Sequence, residues 1–168
     1  MPLSDQGNLS DRYNLIPRTL IFLTSQDSVL LIKGAPSKRL WANCYNAIGG
    51  HVERGEDVFS AAWRELREES GAKPDSLWLA GVVTIDVEPD SGICLFVLRG
   101  ECTLKTIRTS AEGAAEWIQL ESVSDLPVVE DLPVLLKKVL AVKPGDPLFS
   151  AHYHYDEDGS LKIRFFPK

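Results

Sequence analysis

With 168 residues, 44% of them hydrophobic and 25% charged, the chain has the composition of one ordinary globular domain and not of a disordered protein. Its formal net charge is −6, and its basic runs stop at the pairs Lys38-Arg39 and Lys137-Lys138, which argues against a nucleic acid polymer as partner. An acidic protein can still hold anionic phosphates when divalent cations stand between the two.

The polar start, MPLSDQGNLSDRYN, lacks the basic and apolar regions of a signal peptide, and no apolar run approaches the ~18 residues of a membrane span. Residues 1–16 read as a loose leader and residues 17–168 as a single domain. Cys44, Cys94 and Cys102 are odd in number and lack metal-type spacing. Reduced thiols in or beside apolar strands fit a reducing compartment, so the expected location is the cytoplasm, with no membrane partner.

RTLIFLT and SVLLIKG read as paired strands around Ser25-Gln26-Asp27. The loop APSKRLWANC and the glycine-punctuated YNAIGGHVERGED follow. DVFSAAWRELREES has helical periodicity, with Phe59, Ala62, Trp63 and Leu66 expected as one buried stripe. Gly71 suits the helix C-terminus, and Pro74 bars continuation. LWLAGVVTIDVE and ICLFVLRGEC read as strands joined by the turn Pro89-Asp90-Ser91-Gly92, and EWIQL as another. A second helix starts near Glu130-Asp131-Leu132-Pro133, where proline suits the first turn. LFSAHYHY and SLKIRFF close the chain as a hairpin. Strands with two helices predict a mixed α/β sandwich.

Glu65, Glu68 and Glu69 stand at i, i+3 and i+4 of the first helix, which brings three carboxylates to one patch. Like charges so close repel unless a cation joins them. Magnesium is hard, prefers oxygen ligands and keeps positions open for water and phosphates. Arg64 precedes Glu68 by four residues and can orient the carboxylates. Glu56 lies before the positive end of the helix. Gly49 and Gly50 let backbone approach closely, so a main-chain carbonyl there is a further candidate ligand. The competing reading of such a helix is a solvated charged face.

The segment GHVERGEDVFSAAWRELREESGA resembles the Nudix signature, G-x5-E-x7-R-E-U-x-E-E-x-G-U with U apolar. Gly50, Glu56, Arg64, Glu65, Leu66, Glu68, Glu69 and Gly71 fill it without a gap, and only Ala72 is a weak apolar match. With seven fixed residue types each near ~7% abundance, a chance match is on the order of 10⁻⁶. The resemblance implies an α/β/α sandwich with a mixed sheet and a loop-helix-loop catalytic motif. It implies magnesium, with manganese able to substitute, held by Glu65, Glu68, Glu69 and the carbonyl of Gly49. It casts Arg64 as orienting a glutamate and Glu56 as supporting the helix.

It also implies one further carboxylate from a loop before a late strand, for which Glu112 is the candidate and Glu116 the alternative. The implied reaction is in-line attack of water on phosphorus, with Glu65 or Glu112 taking the proton. Asn46 precedes the paired glycines by three residues, as in the branch that hydrolyses oxidised purine nucleotides, where an amide reads the purine edge. Tyr45 either walls that pocket or packs. Glu130 and Asp131 lie where that branch reads the base with carboxylates, or else cap the second helix. The expected substrate is a small nucleotide, most simply a nucleoside triphosphate of the 8-oxo-dGTP kind cut to monophosphate and pyrophosphate. ADP-ribose or a nucleotide sugar is the rival, with Pro89 near the place where such enzymes carry a proline. A non-catalytic nucleotide-binding module is the third reading. Monomer and homodimer are both compatible with the sequence.

Overall fold

In a computed structural model of the chain, residues 12–37, 41–110 and 113–166 are described. The described strands form one eight-stranded mixed sheet: β1 (Asn14–Ser25), β2 (Ser28–Gly34), β3 (Tyr45–Asn46), β4 (Ser76–Glu88), β5 (Ser91–Glu101), β6 (Gly113–Gln119), β7 (Phe149–Tyr155) and β8 (Leu161–Phe166). The order is β3-β2-β1-β5-β4-β7-β8, with β6 on the other edge of β2. The β1–β5 and β4–β7 pairs are parallel and the others antiparallel.

Neighbouring side chains on a strand point to opposite faces, and β1 and β2 are covered on both. Phe22, Val29 and Leu31 join Val83, Val97 and Tyr153 in the core under α2 (Leu132–Leu140), which adds Leu132, Leu135 and Val139. Ile21, Leu23 and Leu30 join Ile48, Leu98, Ala62 and Leu66 in the core under α1 (Val58–Glu65). Two-sided burial explains why these strands read as continuous apolar runs. A helix on each face makes the α/β/α sandwich expected from the sequence. Among the described residues no helix is long and apolar enough to cross a membrane.

Three local features depart from expectation. First, β1 begins at Asn14, so residues 14–16 belong to the sheet and not to a leader; they pair in parallel with residues 91–93. NLIP has no readable periodicity, and only the partner strand makes it extended. Second, Phe59 and Trp63 are 40% and 45% exposed, whereas Ala61, Ala62 and Leu66 are buried. The buried stripe is centred on the alanines because their small side chains let α1 lie close to the sheet, which turns the aromatic edge outward. Third, α1 widens into a π turn over Leu66–Ser70 and ends at Gly71, whose φ of 68° suits glycine.

Candidate active site

β1 and β2 pair only at Leu23–Ser25 against Leu30–Ser28, then splay. Residues 45–51 fill the opening. They bridge β1 through Ile21 with Ile48 and Arg18 with His51, and Thr19 N donates to Gly50 O at 2.8 Å. The paired glycines are thereby wedged between β1 and α1. A Cβ on Gly49 would overlap the carbonyl oxygen of Thr19, and one on Gly50 would overlap the carboxylate of Glu65. Gly49 demands glycine because backbone stands in the way, whereas at Gly50 the end of the Glu65 side chain would have to shift.

The helix is started by Asp57, whose Oδ1 accepts from Phe59 N at 2.8 Å and Ser60 N at 3.1 Å. Glu56, one residue earlier, is left free for another task. It accepts from Arg64 through two parallel bonds, Nε to Oε1 at 2.7 Å and Nη2 to Oε2 at 2.9 Å, and from Glu53 N at 3.0 Å. The Arg64 guanidinium, then the Glu53 amide, hold the Glu56 carboxyl below its ordinary range. In return Glu56, then Glu65, push Arg64 far above the usual arginine value, so it is permanently charged.

Arg64 is the hub of the site. Nη2 also donates to His51 O at 2.9 Å, and Nη1 donates to Glu65 Oε1 at 2.7 Å and Glu68 Oε2 at 3.4 Å. Glu65 and Glu68 therefore share one cationic nitrogen. Glu69 stands on the adjoining side of the helix, only 6% exposed, and accepts from Gly49 N at 3.3 Å. The acidic patch thus spans from Glu68, about half exposed, to the buried Glu69, with the glycine loop against it.

Among the described residues no three acidic, histidine or cysteine side chains close by themselves around one ion. The donor set nevertheless fits magnesium: it is all oxygen, and magnesium needs only one or two protein carboxylates when substrate phosphates and waters complete its shell. Glu112 lies outside the described residues. Glu116, its alternative, points elsewhere and accepts from the Tyr45 hydroxyl at 3.0 Å.

Of the residues expected to touch the base, Tyr45 is packed into the core under α2, with Lys33 Nζ 5.6 Å from its ring centroid. It has become a structural brace. Its backbone does more, because Tyr45 N donates to Pro127 O at 2.7 Å and Val129 N donates to Tyr45 O at 3.0 Å. This ladder sets Asn46 beside the segment that delivers Glu130 and Asp131. Asn46 is half-buried and its Oδ1 accepts from Ala47 N at 2.8 Å.

Asp131 occupies the N-cap of α2 without capping it. Burial, with the charge of Glu130 adding, raises its carboxyl above the ordinary range. Two residues with no sequence signal belong to the same region. Burial and the charge of Asp131 push up the phenol of Tyr153, and burial with Glu130 and Asp131 pushes up Tyr155. Among the described residues the buried Tyr153 hydroxyl lacks a hydrogen-bond partner, as does Thr19 Oγ1. His152 and His154, on the opposite face of β7 from Tyr153, stack at 5.5 Å, and His152 Nε2 lies 2.9 Å from Asp86 Oδ2.

A mixed sheet between two helices, with an arginine-gathered acidic helix packed on a double-glycine loop, defines the class of Nudix-type sandwich hydrolases. Residues 15–139 match the NUDIX domain, and the chain belongs to that family as a Nudix hydrolase. It is similar to an oxidized purine nucleoside triphosphate hydrolase of Mus musculus, 29% identical over 148 residues, which covers 85% of this chain and 88% of the relative. A crystal structure of a mutator MutT protein from Bacillus halodurans is 26% identical, covers 92% of this chain and 99% of its own, and superposes with a TM-score of 0.76. The NUDIX domain of Shewanella oneidensis NrtR complexed with ADP ribose shares the fold at 14% identity, over 83% of this chain and 97% of its own, with a TM-score of 0.70.

Proposed function

We propose that this Nudix hydrolase cuts a nucleoside triphosphate, with oxidised purine nucleotides such as 8-oxo-dGTP as preferred substrates, to a monophosphate and pyrophosphate. The observation that carries the reading is the backbone ladder between Tyr45 and residues 127–129. It brings the Tyr45-Asn46 strand, three residues before the glycine loop, against the segment that leads into Glu130 and Asp131, and burial raises the Asp131 carboxyl above its ordinary range. The Asn46 amide offers donor and acceptor together, which suits the edge of an 8-oxo purine. The similarity to the mouse hydrolase supports the same substrate class.

Glu65, Glu68, Glu69 and the carbonyl of Gly49 would hold magnesium, with manganese as a substitute. When bound, the ion supplies charge neutralisation at phosphate oxygens and a lowered pKa for water. The chain's own residues do the rest. Arg64 fixes Glu65 and Glu68 relative to each other, and Glu56 locks Arg64 at the rim of the helix. Glu65, held between Arg64 and Gly50, is one candidate to take a proton from the attacking water, and Glu112 is the other. Free thiols at Cys44, Cys94 and Cys102 support a reducing, cytoplasmic setting, and either a monomer or a homodimer accommodates the site.

The test is a panel of 8-oxo-dGTP, unmodified dNTPs, ADP-ribose and dinucleoside polyphosphates with magnesium, and identification of the products. Monophosphate plus pyrophosphate, fastest from 8-oxo-dGTP, is expected. AMP plus ribose phosphate as the dominant reaction would replace the triphosphate reading with the ADP-ribose one. Tight nucleotide binding without turnover would leave a binding module.

A further inference from the structure

The turn that ends α1 is gripped by a residue far along the chain. Arg108, in the segment that follows β5, donates its backbone amide to Ser70 O at 2.7 Å and its Nη2 to Arg67 O at 2.8 Å. Carbonyls at a helix C-terminus lack partners within the helix and carry the negative end of its dipole, so a guanidinium there meets both needs. These two carbonyls bracket Glu68 and Glu69 in the chain. They belong to the π turn Leu66–Ser70, where the helix leaves its regular path at the residues of the acidic patch.

Arg108 is itself held from several sides. Ile107 packs against the core under α1. Lys105 Nζ donates to Ser28 Oγ at 2.9 Å and Lys105 O accepts from Trp117 Nε1 at 3.2 Å, which ties the segment to β2 and β6. Thr103 N donates to Asp75 Oδ2 at 2.7 Å. The stem of Arg108 crosses Gly71, where a Cβ would stand 3.0 Å from Arg108 Cγ and 3.1 Å from Cδ. The absent side chain of Gly71 therefore leaves room for the stem. Glu69 accepts from Gly49 N at 3.3 Å, so a shift of this turn would move the acidic patch relative to the glycine loop.

We propose that Arg108 is a positioning residue for the hydrolase: through the carbonyls of Arg67 and Ser70 it fixes the turn that presents Glu68 and Glu69 to the divalent cation. The inference rests on the reading of these glutamates as cation ligands. Arg108 acts through the backbone beneath them, whereas Arg64 acts on the side chains of Glu65 and Glu68. A partner that orients a metal-binding side chain contributes about 10- to 100-fold to metal affinity or activity. Arg108 stands 41 residues from Arg67, outside the span of the acidic helix and its glycine loop.

The experiment compares the wild type with Arg108→Met, Arg108→Lys and Glu69→Gln. Manganese binding to the nucleotide-free protein is read by electron paramagnetic resonance, and amide hydrogen exchange across the π turn is read without metal. Arg108→Met keeps the stem and removes the donor. It is expected to weaken manganese binding about 10-fold or more and to speed exchange at the π turn alone. It should lower kcat while KM for 8-oxo-dGTP stays within about twofold. Arg108→Lys restores a cation and a donor and should recover most of the manganese affinity. Wild-type affinity and exchange in Arg108→Met overturn the proposal. Lost affinity with faster exchange throughout the sheet, unrescued in Arg108→Lys, marks a destabilised fold and overturns it as well. Glu69→Gln separates the two readings. If it abolishes manganese binding while Arg108→Met leaves it intact, only the positioning role falls. If Glu69→Gln binds manganese like the wild type, the ligand assignment falls and the positioning role with it.

Discussion

The Glu65 carboxylate rests against the Cα of Gly50, in space that a single methyl group would occupy. Gly49, its neighbour, faces the carbonyl oxygen of Thr19 instead. The two adjacent glycines thus protect different things, one the position of a flexible acidic side chain and the other the path of the backbone. Gly50→Ala should therefore displace Glu65 and lower turnover at least ~10-fold while costing under ~1 kcal/mol of stability. Gly49→Ala should cost about 1–3 kcal/mol, because backbone must move. Denaturant unfolding beside initial rates separates the two, and equal behaviour of the variants would contradict the assignment.

Glu68→Gln and Glu69→Gln preserve shape and remove charge. Each should cut turnover by roughly 10²–10⁴-fold, the scale on which ionised catalytic carboxylates contribute. Circular dichroism should show a folded protein in both cases, and near-normal rates in both would remove these glutamates from the site.

The departure of α1 from its expected burial is directly testable. Leu66, with no exposed surface, should cost about 2–5 kcal/mol when replaced by alanine. Phe59→Ala, at a 40% exposed position, should stay within about 1 kcal/mol. Comparable losses at the two sites would restore the aromatic stripe to the core.

Asp131 and Glu56 should respond to pH in opposite senses. Burial raises the Asp131 carboxyl, so its neutral form is favoured in the folded state and ionisation costs stability as pH climbs above the unfolded value near ~3.9. Asp131→Asn should melt above the wild type at neutral pH, with the difference vanishing below the ordinary carboxylate range. Glu56 is held low by Arg64, so its contribution is fully present above the unfolded value near ~4.3 and is lost as pH falls through its lower folded value. Glu56→Gln should accordingly be destabilised at neutral pH and converge with the wild type in acid. Melting temperatures from pH 2 to 8 check both signs.

The sequence by itself determined the acidic helix, the glycine loop and the order of strands and helices, because each rests on local rules. Three glutamates at i, i+3 and i+4 must share a patch, and Gly71 must end the turn. The apolar runs of β1 and β2 had to be buried, whichever partners they found. Only the tertiary structure decided which face of α1 turned inward, since that depends on how closely two alanines let the helix approach the sheet. It also decided that Tyr45 braces the core, that the backbone of Thr19 meets Gly49, and that Tyr153 keeps a buried hydroxyl near Asp131. Those relations join residues far apart in the chain, and the glycine loop reaches Thr19 because β1 and β2 splay, a gap in a sheet that no single segment encodes.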